Sequence, residues 1–274
     1  MNNSTVKIES SSPQIDRWIM HSKELNLPYH LNISVPTQPA PPTGYPVIYV
    51  LDGNAFFQTI QEQVRLQSKR SDKTGVHPSI VIGIGYPGDT DFNLPRRFYD
   101  FTAPSESEIS PKPNGEKWPE SGGAHQFLHF IETELKPFIF QNYKVDENKQ
   151  TLFGHSLGGL FVLEVLFTKP QAFQGYIASS PSIWWNQCSV LTREAQFPSL
   201  VSSISSEIRL FLTVGSLELD HMVNDATKLS ERLQTLTHDT FQMSFHNAEC
   251  ENHLSVVAAT LSRALRFVGN NKTS

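Results

Sequence analysis

Gln150-Thr151-Leu152-Phe153-Gly154-His155-Ser156-Leu157-Gly158-Gly159-Leu160 decides the fold. A short apolar run enters a Gly-x-Ser-x-Gly turn, and an almost wholly apolar helical pattern leaves it. A strand that stops abruptly, a serine at the apex and a helix behind it make a nucleophile elbow. Gly154 and Gly158 flank the apex, where a Cβ is expected to collide with the neighbouring strand or helix. The free N–H groups and dipole of the helix N-terminus face any negative charge that develops at Ser156.

Outward from the elbow, the pattern is strand, helix, strand. Pro46 to Leu51 is a continuous apolar run, as expected of a parallel strand covered on both faces. It leads through Asp52-Gly53-Asn54 into a helical pattern reaching about Arg70, and Ser79 to Tyr86 is the next buried strand. Residues 15–22 and 28–35 read as two strands around a turn, the second alternating so that His30 points at solvent. Five prolines between Pro36 and Pro46 make a rigid connection. From Pro87 to about Gly123 the periodicity lapses over six prolines, giving a long substrate-facing loop after a strand's C-terminal end. Residues 124–140 return to helical spacing. The helix after the elbow is apolar nearly all round and ends at Lys169-Pro170. Gln174 to Ser179, Ile208 to Val214 and Phe241 to His246 are later strands, with helices at about 221–236 and 254–268. The expected fold is therefore α/β, an α/β-hydrolase arrangement with helices on both faces of a mostly parallel sheet, in one domain over 1–274.

Composition agrees with a soluble globular chain: 38% hydrophobic and 18% charged residues among 274. A net charge of −5 and a pI near 6.1 argue against nucleic acid or an acidic membrane surface as main partner. Cys188 and Cys250 make no disulfide framework and no metal-ligand spacing. His125 and His129 stand four apart, but nothing completes a zinc signature. No secretory signal and no apolar run of about 20 residues is visible, so a cytoplasmic location is expected, with no cofactor or protein-bound metal.

A serine hydroxyl needs a base, and the base an orienting acid. The order Ser, acid, His restricts both to the part of the chain after Ser156. Of His221, His238, His246 and His253, the last alone lies in a polar loop between the final strand and the final helix. Glu218 comes first on the turn after Val214, with Asp220 and Asp225 as alternatives; a serine–histidine dyad with no engaged acid stays open. Glu249 and Glu251 read as solvated loop charges. The oxyanion of acyl transfer needs two backbone N–H donors, here Leu157 and Asn54, with Gly53 as the alternative to Asn54. Trp184-Trp185 would stack on a planar ligand if exposed, or pack in the core if not. Arg96-Arg97 in the long loop would suit an anionic ligand, against the alternative of a solvated charge patch.

Read together, these stretches resemble the esterase branch of the α/β-hydrolases, and within it the siderophore esterases that act on enterobactin and bacillibactin. The resemblance rests on Tyr49-Val50-Leu51-Asp52-Gly53-Asn54-Ala55-Phe56, Phe98-Tyr99-Asp100-Phe101-Thr102, Gly122-Gly123-Ala124, the elbow, Ser180-Pro181-Ser182-Ile183-Trp184-Trp185, Val214-Gly215-Ser216-Leu217-Glu218 and Glu251-Asn252-His253. It implies hydrolysis of the trilactone esters of a ferric or metal-free catecholate siderophore, freeing iron inside the cell. It implies Ser156 as nucleophile and His253 as base, supports Glu218 as acid, and makes sense of Arg96, Arg97, Trp184 and Trp185 as substrate contacts. The broader family also hydrolyses simple acyl esters and thioesters, which leaves a general carboxylesterase as the alternative.

Overall fold

The computed structural model describes residues 15–105, 109–112, 114–236 and 238–269. Within them eight strands pair into one sheet: β1 (Ile15–His21), β2 (Pro28–Ser34), β3 (Tyr45–Val50), β4 (Ile80–Gly85), β5 (Val145–His155), β6 (Gly175–Ser179), β7 (Ile208–Gly215) and β8 (Phe241–Ala248). Their spatial order is β1-β2-β4-β3-β5-β6-β7-β8. The β1–β2 and β2–β4 pairs are antiparallel, and β4, β3, β5, β6, β7 and β8 run parallel. β3 and β5 pair through Ile48 with Thr151 and Val50 with Phe153, which brings the ends of these two strands side by side.

The continuous apolar runs are explained by cover on both faces. Val47, Tyr49, Leu152, Tyr176 and Leu210 point into one core; the alternate Ile48, Val50, Phe153, Ile177 and Phe211 point into the other. The helices are α1 (Gly53–Gln67), α2 (Ser71–Thr74), α3 (Leu94–Phe101), α4 (Ala124–Phe130), α5 (Lys136–Asn142), α6 (Leu157–Thr168), the short α7 (Trp185–Cys188), α8 (Val190–Glu194) and α9 (Phe197–Val201), then α10 (Asp220–Gln234) and α11 (Ser255–Gly269). Helices α1 and α11 cover the second core, and α6 lies in the first with α3, α4, α5 and α10 around it.

Two segments depart from the sequence reading. The 87–123 stretch is not loop throughout, because α3 sits inside it. The Asn93 side chain caps its first turn by accepting from the Arg96 N–H, and Pro95 occupies the first turn, where a missing N–H costs nothing. The helix predicted over 124–140 widens into a π-turn at Ile131–Leu135, with the Lys136 N–H donating to the Ile131 carbonyl. Pro137 has no N–H, and its ring would strike the carbonyl four residues back in an unbroken α-helix; the wider turn relieves that clash.

Candidate active site

The elbow forms as the sequence requires. Ser156 comes directly after β5 with φ 58° and ψ −117°, a strained backbone for any residue with a Cβ. Its N–H is held by the Ser179 carbonyl at 3.0 Å. A Cβ on Gly154 would stand 2.1 Å from the Gly158 carbonyl oxygen, and one on Gly159 would stand 2.9 Å from that of Ser179. At Gly158 the expectation of a collision is corrected: the nearest atom to an added Cβ is an Asp52 carboxylate oxygen at 3.5 Å, an ordinary contact. The α6 turn packs its neighbours through Gly154 and Gly159, and Gly158 has room.

His253 and Glu218 meet. His253 Nδ1 is 2.7 Å from Glu218 Oε2. A carboxylate accepts, so Nδ1 carries the hydrogen and Nε2 is left with its lone pair for a proton transfer. Glu218 Oε1 accepts from the Gly215 N–H at 2.7 Å and from the Ser180 hydroxyl. Burial pushes the Glu218 carboxyl up, but the hydrogen bonds from His253, Ser180 and Gly215 outweigh it and hold the group below its ordinary value. The rivals lie apart from this pair: Asp220 is exposed, Asp225 half-buried, and His238 Nδ1 bonds the Thr240 hydroxyl at 2.8 Å. The acid and base loops are stitched together by the Leu217 N–H on the Glu251 carbonyl, 2.9 Å. Ser156 Oγ has the Ser182 hydroxyl at 3.3 Å as its hydrogen-bonding neighbour.

The two expected oxyanion donors stand at helix starts. Leu157 opens α6, and Gly53 and Asn54 open α1 behind Asp52, whose φ of 49° turns the chain sharply after β3. The first N–H groups of a helix have no partner within it, so both turns offer donors at the C-terminal ends of adjacent strands. The Asn54 side chain is itself committed to the loop after β4. Its Oδ1 accepts from the Tyr86 N–H at 2.9 Å, and its Nδ2 donates to the Tyr86 and Thr90 carbonyls at 3.1 and 3.2 Å. Only its backbone N–H is therefore free for the role.

Three of the expected substrate contacts are corrected. Arg97 is 6% exposed and its Nε donates to Asp52 Oδ1 at 2.7 Å, an internal ion pair. Arg96 lies over the Tyr29 and Tyr86 rings, 4.7 and 4.9 Å from their centroids, and pairs with buried Asp100 at 3.4 Å. Neither guanidinium is open to an anion; α3 turns both inward. Trp185 is buried against Phe98 and Trp118, with centroids 5.2 Å away in each case. Trp184 is half-buried and keeps one side toward Trp118 and exposed His221.

Sequence reasoning missed Trp118, Ser180, Ser182, Asp52 and His155. The Ser180-Pro181-Ser182 stretch touches both ends of the site, Ser180 at the acid and Ser182 at the nucleophile. Its signal was a serine on each side of proline directly after a buried strand. Leu217, Leu219 and Leu254, which flank Glu218 and His253 in the chain, are each more than 60% exposed.

A sheet of this order with a strained serine after β5 and a carboxylate–histidine pair after β7 and β8 defines the α/β-hydrolase class. The chain belongs to the family described as "Putative esterase", whose model matches residues 22–263. It is 47% identical over 253 residues to the ferri-bacillibactin esterase BesA of Bacillus subtilis, covering 91% of this chain and 87% of that protein. It is 42% identical over 204 residues to a siderophore enterobactin esterase of Emericella nidulans, covering 70% of this chain and 66% of the relative. Among solved structures, the BES protein of Bacillus cereus superposes with a TM-score of 0.93 at 51% identity, covering 97% of this chain and all of that one. The siderophore hydrolase EstA of Aspergillus nidulans gives 0.84 at 31% identity, covering 98% and 99%.

Proposed function

We propose that the protein is a siderophore esterase that opens the ester bonds of a catecholate trilactone, in its ferric or metal-free form. What carries the reading is the 47% identity, over nearly the whole chain, to a ferri-bacillibactin esterase, together with a His253–Glu218 pair bonded through Nδ1, the His253 ring lying 4.5 Å from that of His155 on the elbow. Ser156 Oγ attacks the lactone carbonyl as His253 Nε2 takes its proton, and Glu218 holds the imidazolium that forms. The carbonyl oxygen becomes an oxyanion between the Leu157 and Asn54 N–H groups. Collapse expels the alcohol of the next ring unit, which takes the proton back from His253 and leaves an acyl-enzyme on Ser156. Water attacks that ester by the same steps in reverse, freeing the carboxylic acid.

No helix among the described residues is long and apolar enough to cross a membrane. Release of iron for use inside a cell suits a cytoplasmic enzyme, and the iron arrives with the substrate. With Arg96 and Arg97 turned inward, recognition falls to the apolar surroundings: half-open Trp184 and the three exposed leucines suit an aromatic acyl group better than an acetyl group. The test is mass spectrometry of products after incubation with metallated and metal-free trilactones, beside turnover of short acyl esters. Opening of the trilactone at much higher kcat/KM supports the assignment; a strong preference for short acyl esters rejects it.

A further inference from the structure

Two groups that the proposed chemistry does not use lie directly behind the site. The first is Arg97. Its guanidinium reaches Asp52 Oδ1 at 2.7 Å and the His155 carbonyl at 3.5 Å, so one side chain touches the turn that carries Asn54 and the residue before Ser156. Both acidic and basic partners are buried, and the other Asp52 oxygen has no hydrogen-bond partner. The second is His155. Its Nε2 is 2.6 Å from the His253 carbonyl, and its ring centroid is 4.5 Å from that of His253. A carbonyl oxygen can only accept, so Nε2 carries the hydrogen and Nδ1, also buried, has no partner. Burial pushes the His155 pKa down to about 3, and the ring stays neutral wherever an esterase works. Phe56 of α1 packs edge-on against this ring, with centroids 5.3 Å apart.

We propose that Arg97 and His155 are positioning residues that hold the turn after β3, the elbow after β5 and the loop of His253 in one register. The chain of contacts runs Asp52, Arg97, the His155 carbonyl, the His155 ring and the His253 carbonyl. Each catalytic part sits on a different connection of the sheet, and β3 and β8 are not neighbours, so the backbone joins the oxyanion turn to the base loop only through β5, β6 and β7. The Arg97 and His155 side chains add a direct link across those connections. A misplacement on the order of 1 Å in such a site costs about 100-fold in rate, so a hydrogen bond that fixes the base backbone acts on turnover more than on binding.

The inference rests on Ser156 and His253 as nucleophile and base, and its test avoids the siderophore. Full-length His155→Leu, His155→Gln, Arg97→Met and Arg97→Lys are compared with wild type for labelling by a fluorophosphonate, for kcat and KM on 4-nitrophenyl acetate, and for thermal midpoint. His155→Leu is expected to lose about 30- to 100-fold in kcat and in labelling rate, with KM changed less than about threefold. His155→Gln, whose amide N–H can reach the same carbonyl, should recover most of that loss, and Arg97→Lys should recover part of the loss in Arg97→Met. A role in packing alone predicts the reverse at position 155: leucine fits an apolar pocket and glutamine buries an unpaired amide, so His155→Gln would be the worse variant. That result, or a His155→Leu protein that labels at the wild-type rate, overturns the proposal. If the leucine variant fails to fold, the pair at position 97 still decides it: a kcat lowered in Arg97→Met and partly restored in Arg97→Lys supports positioning, and Arg97→Met at the wild-type rate overturns it. A wild type that does not label would remove the nucleophile reading and this one with it. One that labels but ignores trilactones would sink the substrate assignment alone.

Discussion

Two turns of this molecule begin helices at the ends of adjacent strands, and they are put to opposite uses. Asp52 opens α1 with φ 49° and ψ 50°; Ser156 opens α6 with φ 58° and ψ −117°. Each is flanked by a glycine that a side chain could not replace: a Cβ on Gly53 would meet the Gly83 backbone at 2.7 Å, one on Gly154 the Gly158 carbonyl at 2.1 Å. Asp52 commits its side chain to Arg97 and is buried. Among the described residues, the Ser156 hydroxyl has another hydroxyl, that of Ser182, as its hydrogen-bond neighbour. Positive φ alone therefore does not distinguish the proposed nucleophile. What separates the two is the partner of the apex side chain: Asp52 has a charged one in Arg97, and Ser156 has a hydroxyl.

The comparison breaks most visibly at Ser156. Ser156→Gly should lose turnover by about 10⁴-fold or more, and fluorophosphonate labelling altogether. The same variant should gain about 1 kcal/mol in unfolding free energy, since relief of roughly 1–3 kcal/mol of backbone strain is partly offset by the freedom of an unfolded glycine. Retained turnover would refute the nucleophile. Next comes Glu218→Gln. The buried amide cannot accept every bond the carboxylate accepts now, and the orientation of His253 loosens; kcat is expected to drop about 10²- to 10³-fold. An unchanged kcat would mean that the pair seen between Glu218 and His253 is idle and that the site works as a dyad. At the other apex, Asp52→Asn should cost about 3 kcal/mol of stability in a denaturant melt, because Arg97 is left as a buried charge without its counter-ion. If Asp52→Asn is as stable as wild type, the two turns differ less than their contacts say.

The sheet and the elbow were legible because their signals are local. Continuous apolar runs gave β3, β4, β6 and β7, and the apolar helix behind Gly-x-Ser-x-Gly gave α6. His253 and Glu218 come from chain order, each on the connection where the strand ends place it, and the structure brings them together at 2.7 Å. The segment 87–123 was illegible for the opposite reason. Its helix α3 carries Arg96 and Arg97, which read as contacts for an anionic ligand or as a solvated patch, yet Arg97 is buried, as is Asp100 on the same helix. What buries Arg97 is Asp52, 45 positions earlier, and no window on the chain contains both. The tryptophan pair failed the same way: adjacent in sequence, Trp185 goes to the core and Trp184 to the edge, and the ring that completes their cluster, Trp118, lies in the segment whose periodicity had lapsed.

The smallest effect expected is a change of slope, and it sharpens the contrast between the paired arginines. Asp100, like Asp52, is pushed by burial from 3.8 to about 6, with Arg96 opposing the rise. The groups packed around it are Arg96, Tyr29 and Tyr86. In the unfolded chain the carboxyl titrates near its ordinary value, so between about pH 4 and 6 the folded protein holds a proton that the unfolded chain has released. Folding is then favoured by acid in this window: the contribution from Asp100 is complete below the unfolded value and is lost as pH rises through about 6. Asp100→Asn carries no such proton. Thermal midpoints of wild type and variant, measured from about pH 7 down to about pH 4, should diverge on acidification, with the wild type gaining relative to the variant. A constant difference across that range would show that Arg96 holds Asp100 ionised throughout.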